Sequence, residues 1–212
     1  MVMTNRVRWT LLATAAVVAV ACSDSTSSGG GTPPTDLSFL RLAPTAPPLC
    51  ADSTGAYFIK NVEDKTIRLV FPQSGQLADC ATGSTEEFAS LTVKKLSLLR
   101  RPNGTLISDG DSVFISMKWV GSDSILFEFQ PTGLLFDTSE APELKINYTE
   151  AGPDLNDDGH VDAADDDVET RLDIWRQERP GDPFFRVGTG KIEDLNEIEA
   201  KLAGFSRFAL AY

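Results

Sequence analysis

The chain has 212 residues, 31 of them acidic against 19 basic, with a single histidine and a net charge of −12. That balance counts against nucleic acid and anionic membrane surfaces as partners, since both are bound through basic patches. The one histidine, His160, falls in the acidic loop described below. It leaves no Ser-His-Asp or Cys-His arrangement and no zinc site of the usual ligand count.

The chain opens with Arg6 and Arg8 before an apolar run from Trp9 to Ala21. This run is too short to span a bilayer and has the form of a secretory signal. Residues 1–21 are therefore expected to be removed. The run ends Ala19-Val20-Ala21-Cys22, which fits two readings of one cut. It is an AxA cleavage site, or it resembles the bacterial lipoprotein box, with Cys22 lipidated and Ala19 standing where leucine is usual. Lipidating Cys22 leaves Cys50 and Cys80 as one even pair in an oxidising compartment, whereas the other reading strands a free thiol. The expectation is a lipidated Cys22 and a Cys50–Cys80 disulfide that ties down the start of the domain.

Residues 22–36, with the Ser/Gly/Thr/Pro run Ser23 to Thr35, form a tether with nothing to bury. Loss of the signal removes Arg6 and Arg8 and no acid, leaving 17 basic and 31 acidic residues, a net of −14. Residues 37–212 remain for one folded domain. An export signal, a lipidated cysteine and a tether together imply a protein held at the cell envelope, meeting the membrane only through its lipid.

The domain reads as β-rich. Val113, Ile115, Met117 and Trp119 alternate with Phe114, Ser116 and Lys118, the period of a half-buried strand. Ile125, Phe127 and Phe129 repeat the pattern, as do Leu144, Ile146 and Tyr148. Earlier strands are predicted at Ala56 to Asn61, Thr66 to Phe71 and Ser90 to Leu99. Pro102-Asn103-Gly104, Asp109-Gly110 and Pro131-Thr132-Gly133 supply turns. A short helix is predicted from Ala163 to about Thr170. Leu172 to Glu178 and Pro183 to Gly188 then form a hairpin, unless the first of them extends the helix. Strands follow near Lys191 to Glu193, Ile198 to Leu202 and Phe205 to Ala211. The predicted class is mainly β: an antiparallel β-sandwich with an inserted calcium loop and one short helix.

The insertion, residues 152–170, carries the segment with specific chemistry, DLNDDGHVDAAD from Asp154 to Asp165. Asp154, Asn156 and Asp158 stand at positions 1, 3 and 5 of a twelve-residue loop, Gly159 at 6, Asp162 at 9 and Asp165 at 12. Oxygens at this spacing converge on one hard cation, with the His160 backbone carbonyl as the ligand from position 7. Val161 is expected to pin the loop to the core. Asp at position 12, where the EF-hand has Glu, makes the loop resemble the calcium repeat of dockerin modules. A dockerin has two such loops with paired helices, and this chain has one, with no helix expected before it. A short Asp at that position and an extracytoplasmic setting imply weak binding, with a dissociation constant on the order of 10⁻⁴–10⁻³ M.

Three further segments, Phe129 to Phe136, Pro142 to Tyr148 and Gly204 to Leu210, together resemble the second half of the zonula-occludens and netrin-receptor type sandwich domain. In some members of that family a His-Phe-Ser tripeptide cleaves itself before the serine. Here Phe205 and Ser206 match and Gly204 stands in the place of the histidine, so the resemblance implies the fold without the cleavage. Gly188-Thr189-Gly190-Lys191 is similar to part of a phosphate loop but lacks its spacing and suits a turn. Trp175, Phe184 and Phe185 suit either the core or a sugar-stacking face.

Two functions follow as expectations. The first is a membrane-tethered, extracytoplasmic calcium-binding lipoprotein that acts as a structural or binding module, its partner an envelope protein or glycan. The alternative is a carbohydrate-active or other hydrolase using paired carboxylates in a sandwich cleft. No catalytic residue is assigned.

Overall fold

The computed structural model describes residues 37–192 and 195–212. The expected export signal, Cys22, the expected tether and Glu193 lie outside the described residues.

Thirteen strands lie in the described residues. The first are β1 (Ser53–Ile59), β2 (Lys65–Pro72), β3 (Thr85–Val93), β4 (Leu98–Arg100) and β5 (Ser112–Trp119). Next come β6 (Leu126–Gln130), β7 (Leu135–Phe136), β8 (Glu143–Asn147) and β9 (Asp173–Gln177). The last are β10 (Phe184–Arg186), β11 (Gly190–Ile192), β12 (Glu197–Lys201) and β13 (Arg207–Ala211). They build a six-stranded sheet in the order β1-β5-β6-β13-β9-β10 and a five-stranded sheet in the order β11-β12-β8-β3-β2, both antiparallel. A two-stranded pair, β4 with β7, lies beside them.

The period-2 pattern explains the layering. Val113, Ile115 and Met117 of β5 and Phe127 and Phe129 of β6 turn inward from one sheet. Leu91 of β3, Leu144 and Ile146 of β8 and Ile198 of β12 turn inward from the other. One shared core results, and burying aromatic and branched side chains in it drives the fold. Phe88 sits near its centre, with ring centroids 4.9 Å from Phe71 and 5.2 Å from Phe127.

Several boundaries differ from the sequence expectation. β3 begins at Thr85, because Phe88 and Ala89 are wholly buried although the run around them is polar. It ends at Val93, and Leu98 starts a separate strand. Among the described residues two α-helices are present where one was expected. The unforeseen α1 (Ala78–Thr82) has five residues and carries Cys80. The Asp79 carboxylate accepts the Ser74 N–H at 2.8 Å and also the Ser74 hydroxyl, which fixes the turn before it. Cys50 and Cys80 form the expected disulfide, with Cα atoms 5.6 Å apart. The second helix, α2 (Ala163–Arg171), is the expected one, and β9 and β10 form the expected hairpin.

The N-terminal strap was not foreseen either. Ser38 and Tyr212 exchange backbone hydrogen bonds, Leu40 N–H donates to Leu210 O at 2.9 Å, and Leu42 N–H donates to Asp123 O at 2.8 Å. Leu40 is buried between β13 and the entry to β6. The strap thereby lies at the end of the sandwich from which the 148–172 connection leaves β8.

Candidate functional site

The connection from β8 to β9 passes from the five-stranded to the six-stranded sheet and contains the acidic loop. A 3-10 turn at Thr149–Ala151 precedes it and α2 closes it. Leu155 packs against the core and Val168 of α2 is buried, so the insertion is seated at two apolar points. Val161 is not one of them. It is 66% exposed, because at position 8 its side chain follows the Gly159 turn outward and Leu155 takes the anchoring place.

Within the loop the side chains at positions 1, 3 and 5 fold back on the backbone. Asp154 accepts the Asp158 N–H at 3.2 Å and the Gly159 N–H at 2.9 Å. The Asn156 carbonyl oxygen accepts the Asp158 N–H at 3.0 Å, and Asp158 accepts the His160 N–H at 2.9 Å. Asn156 also donates its amide to Asp158 at 3.0 Å. Gly159 stands at φ +86 and Asp157 at φ +59, left-handed conformations that glycine and aspartate tolerate best. The sharp turn expected at position 6 is therefore present.

The last two expected ligands also begin the helix. Asp162 is the N-cap of α2 and its carboxylate accepts the Ala164 N–H at 2.8 Å. Asp165 returns a bond to the Asp162 N–H at 2.9 Å, completing a capping box. Asp165 also accepts the Leu155 N–H at 2.7 Å and the Asn156 N–H at 3.2 Å. Its carboxyl is held below the usual carboxylate range by the bond from Asp162, against the opposing effect of burial, with Asn156 and Leu155 adding to the lowering. With 4% of its surface exposed, Asp165 is the buried acid around which the loop closes.

Asp154, Asn156, Asp158, His160, Asp162 and Asp165 thus lie on one continuous turn system. Among the described residues, no group of three or more His, Cys, Asp or Glu side chains is gathered so as to hold a metal ion. Two of the six expected donors, the Asn156 amide oxygen and the His160 carbonyl, are not carboxylates. The remaining four acids spend oxygens on backbone N–H groups. In donor chemistry the set is all oxygen, which suits a hard cation and not zinc. An oxygen that accepts one N–H retains a second lone pair, whereas the Asp165 oxygen that accepts both the Leu155 and Asn156 N–H groups has none left, so Asp165 has one oxygen to offer.

The loop is tied to its surroundings. An Arg41 guanidinium nitrogen lies 3.6 Å from both Asp123 and Asp157. The Tyr148 hydroxyl donates to Glu169 of α2 at 2.9 Å. A cavity of about 490 Å³ separates the strap from the loop and is lined by Arg41, Leu42, Asp154 and Asn156 among others. On the helix side a second, of about 440 Å³, is lined by Pro153, Asp162, Asp165 and Glu169 among others.

Other candidate segments resolve differently. Phe205 and Ser206 are buried, and the Ser206 hydroxyl accepts a hydrogen bond from Arg176 Nε at 2.9 Å. Trp175 donates its indole N–H to Ala211 O at 3.0 Å, and Phe184 stacks edge-on with Phe39 at 5.2 Å, so both rings are partly used in packing. Away from the loop, a shallow cavity of about 360 Å³ is lined by Glu143, Glu199 and Lys201 among others. Lys145 approaches Glu199 to 4.0 Å there. Sequence reasoning missed the helix-capping role of Asp162 and Asp165. Its signal was present as an acid three residues after an N-cap acid, directly before the helix.

Comparison with protein families, with curated proteins and with solved structures finds no match for this chain.

Proposed function

We propose that the chain is an extracytoplasmic lipoprotein, tethered through Cys22, whose loop from Asp154 to Asp165 binds one calcium ion and orders the surface at that end of the sandwich. The observation that carries this reading is the loop itself: oxygen donors at positions 1, 3, 5, 9 and 12, with Gly159 at 6 in the left-handed conformation. Asp154, Asn156, Asp158, Asp162 and Asp165 would hold the ion with the His160 carbonyl. The ion would supply charge neutralisation for four clustered carboxylates, which otherwise repel one another. The protein's own part is to keep the loop turned by its backbone hydrogen bonds and seated on Leu155 and Val168. The product is an ordered binding or structural surface for an envelope protein or glycan, with no catalytic step.

The export signal, the cysteine parity and the tether support the envelope location. Away from the loop, a paired-carboxylate hydrolase would have the shallow Glu143 and Glu199 setting to work with, where Glu199 is already approached by Lys145. The test is calorimetric titration of the chelator-treated full chain with calcium, followed by thermal melts with and without the ion. One saturable site and a raised melting temperature are expected. No heat at several times the expected dissociation constant would remove the calcium reading.

A further inference from the structure

The two sheets end in four strand edges, and three of them are blunted. β10 and β11 are three residues long. β2 bulges between Leu69 and Val70, and its Val70 carbonyl accepts the Cys50 N–H at 3.0 Å. The fourth, β1, runs for seven residues, pairs among the described residues only with β5, and contains no proline, bulge or charged residue. Unpaired, regular, uncharged edges are the ones on which a further strand adds.

The hydrogen-bond parity of β1 is fixed at both ends. Asp52 O accepts the Trp119 N–H of β5, and Lys60 bonds Asp111 and Gly110 through its N–H and carbonyl. Even-numbered residues between them therefore turn their amides to β5, and Ser53, Gly55, Tyr57 and Ile59 turn theirs to the free edge. These odd residues also face outward. Tyr57 is 63% exposed and stacks edge-on with Phe114, itself 50% exposed, at 5.2 Å.

We propose that β1 pairs antiparallel with β1 of a second copy of this chain, about a two-fold axis at Ala56, to give a symmetric dimer with one continuous sheet. In that register Gly55 faces Tyr57 of the second copy and Ser53 faces its Ile59, so every odd residue meets an odd one and the outward amides match, with the Ile59 carbonyl giving up or sharing its 3.3 Å bond from the Val62 N–H. The ends choose the occupant. Asp52 and Lys60 flank the uncharged strand, and two-fold pairing sets each Asp52 opposite one Lys60, a pair at either end, where Lys60 exchanges its bond to the Ile107 carbonyl and Asp52 adds to its 3.8 Å contact with Lys118. A register shifted by two residues loses both matches. Each Tyr57 comes opposite the other copy's Gly55, whose outer face the Phe114 ring already covers, so the Tyr57 ring meets that Phe114 ring and not the glycine itself. The Lys65 ammonium, which takes the Tyr57 carbonyl at 3.0 Å, is displaced. This pairing does not depend on the calcium reading.

The test uses the full chain with Cys22→Ser, so that an added thiol is the only free one. Across the axis the two Ala56 Cα atoms lie about 4.5 Å apart, within disulfide reach. The two Thr54 positions are about 13 Å apart. Under mild oxidation Ala56→Cys is expected to give a covalent dimer, Thr54→Cys to stay single, and Tyr57→Lys to cut the Ala56→Cys crosslink at least tenfold. Light scattering on the protein without an added cysteine should read twice the chain mass, and Tyr57→Lys should halve it. A single-chain mass at the highest soluble concentration overturns the proposal, as does equal crosslinking through Thr54→Cys.

Discussion

The carboxylate of Asp165 accepts the backbone N–H of Leu155 at 2.7 Å, ten residues back along the chain. That bond closes the loop on itself and brings its last acid beside its first turn. Removing the carboxylate leaves the N–H groups of Leu155, Asn156 and Asp162 without their acceptor. Asp165→Ala is expected to lower the melting temperature and speed amide exchange at Leu155 and Asn156. Asp165→Asn, which keeps one acceptor oxygen, should do so less. Equal melting of the alanine variant and the parent protein would show that the loop is held elsewhere.

Asp154→Ala together with Asp158→Ala should abolish calcium binding while circular dichroism and the Cys50–Cys80 crosslink stay unchanged. The loop is an insertion between β8 and β9, and its apolar seats in the interior are Leu155 and Val168, neither of which the double variant changes. Global unfolding of the double variant would contradict that placement.

Gly204 has room for a hydrogen but hardly for a methyl group. A Cβ there would lie 3.0 Å from the Leu134 carbonyl oxygen and 3.3 Å from Leu135. That carbonyl also accepts the Phe205 N–H and cannot easily retreat. Gly204→Ala is expected to cost about 1–2 kcal/mol in denaturant unfolding, as overpacking outweighs the reduced freedom of the unfolded chain.

Breaking the disulfide by Cys50→Ser with Cys80→Ser should cost about 3–4 kcal/mol, the chain-entropy value for a separation of 30 residues. The loss should appear as a lower denaturant midpoint with a slope equal to or steeper than that of the parent, since the uncrosslinked unfolded chain exposes more surface.

Acid should destabilise the fold in a defined window. Asp79 is held below the usual range first by the Ser74 hydroxyl and then by the Ser74 N–H, and Asp137 likewise by the Ser139 hydroxyl and N–H. A depressed folded pKa contributes stability that is complete above the unfolded value and is lost as pH falls through the folded one. The contribution of these two acids to the unfolding midpoint should therefore be flat from about pH 7 to 5 and fall below about pH 4. Asp137→Asn should flatten part of that fall. A variant with the same acid profile as the parent would show that Asp137 gains nothing from its serine.

The sandwich was legible where burial alternates. Val113, Ile115 and Met117 are buried and Phe114 is exposed, as the period requires. Legibility failed where local sequence and tertiary role diverge. Phe88 lies in a polar run, yet it is the ring against which Phe71 and Phe127 pack. α1 is too short to show a period, and a tertiary crosslink holds it. Leu40 belongs to a strap whose partners, Leu210 and Ile125, are far along the chain, so no local pattern announces it. In the acidic loop the spacing of Asp154 to Asp165 was readable, but the seating was not. Two apolar residues six apart, Leu155 and Val161, look alike in sequence, and only the direction of the Gly159 turn decides which one meets the core.

The strap also fixes how the molecule bears load. A pull applied to the chain ahead of Leu37 runs along the hydrogen bonds to Tyr212, Leu210, Ile125 and Asp123. They lie beside two different parts of the six-stranded sheet, so the force is shared before any one bond carries all of it. If the strap peels away, unravelling reaches Cys50 and stops at the covalent link to Cys80. Residues 37–49 can thus stretch out as a shock absorber while the two sheets behind them stay shut.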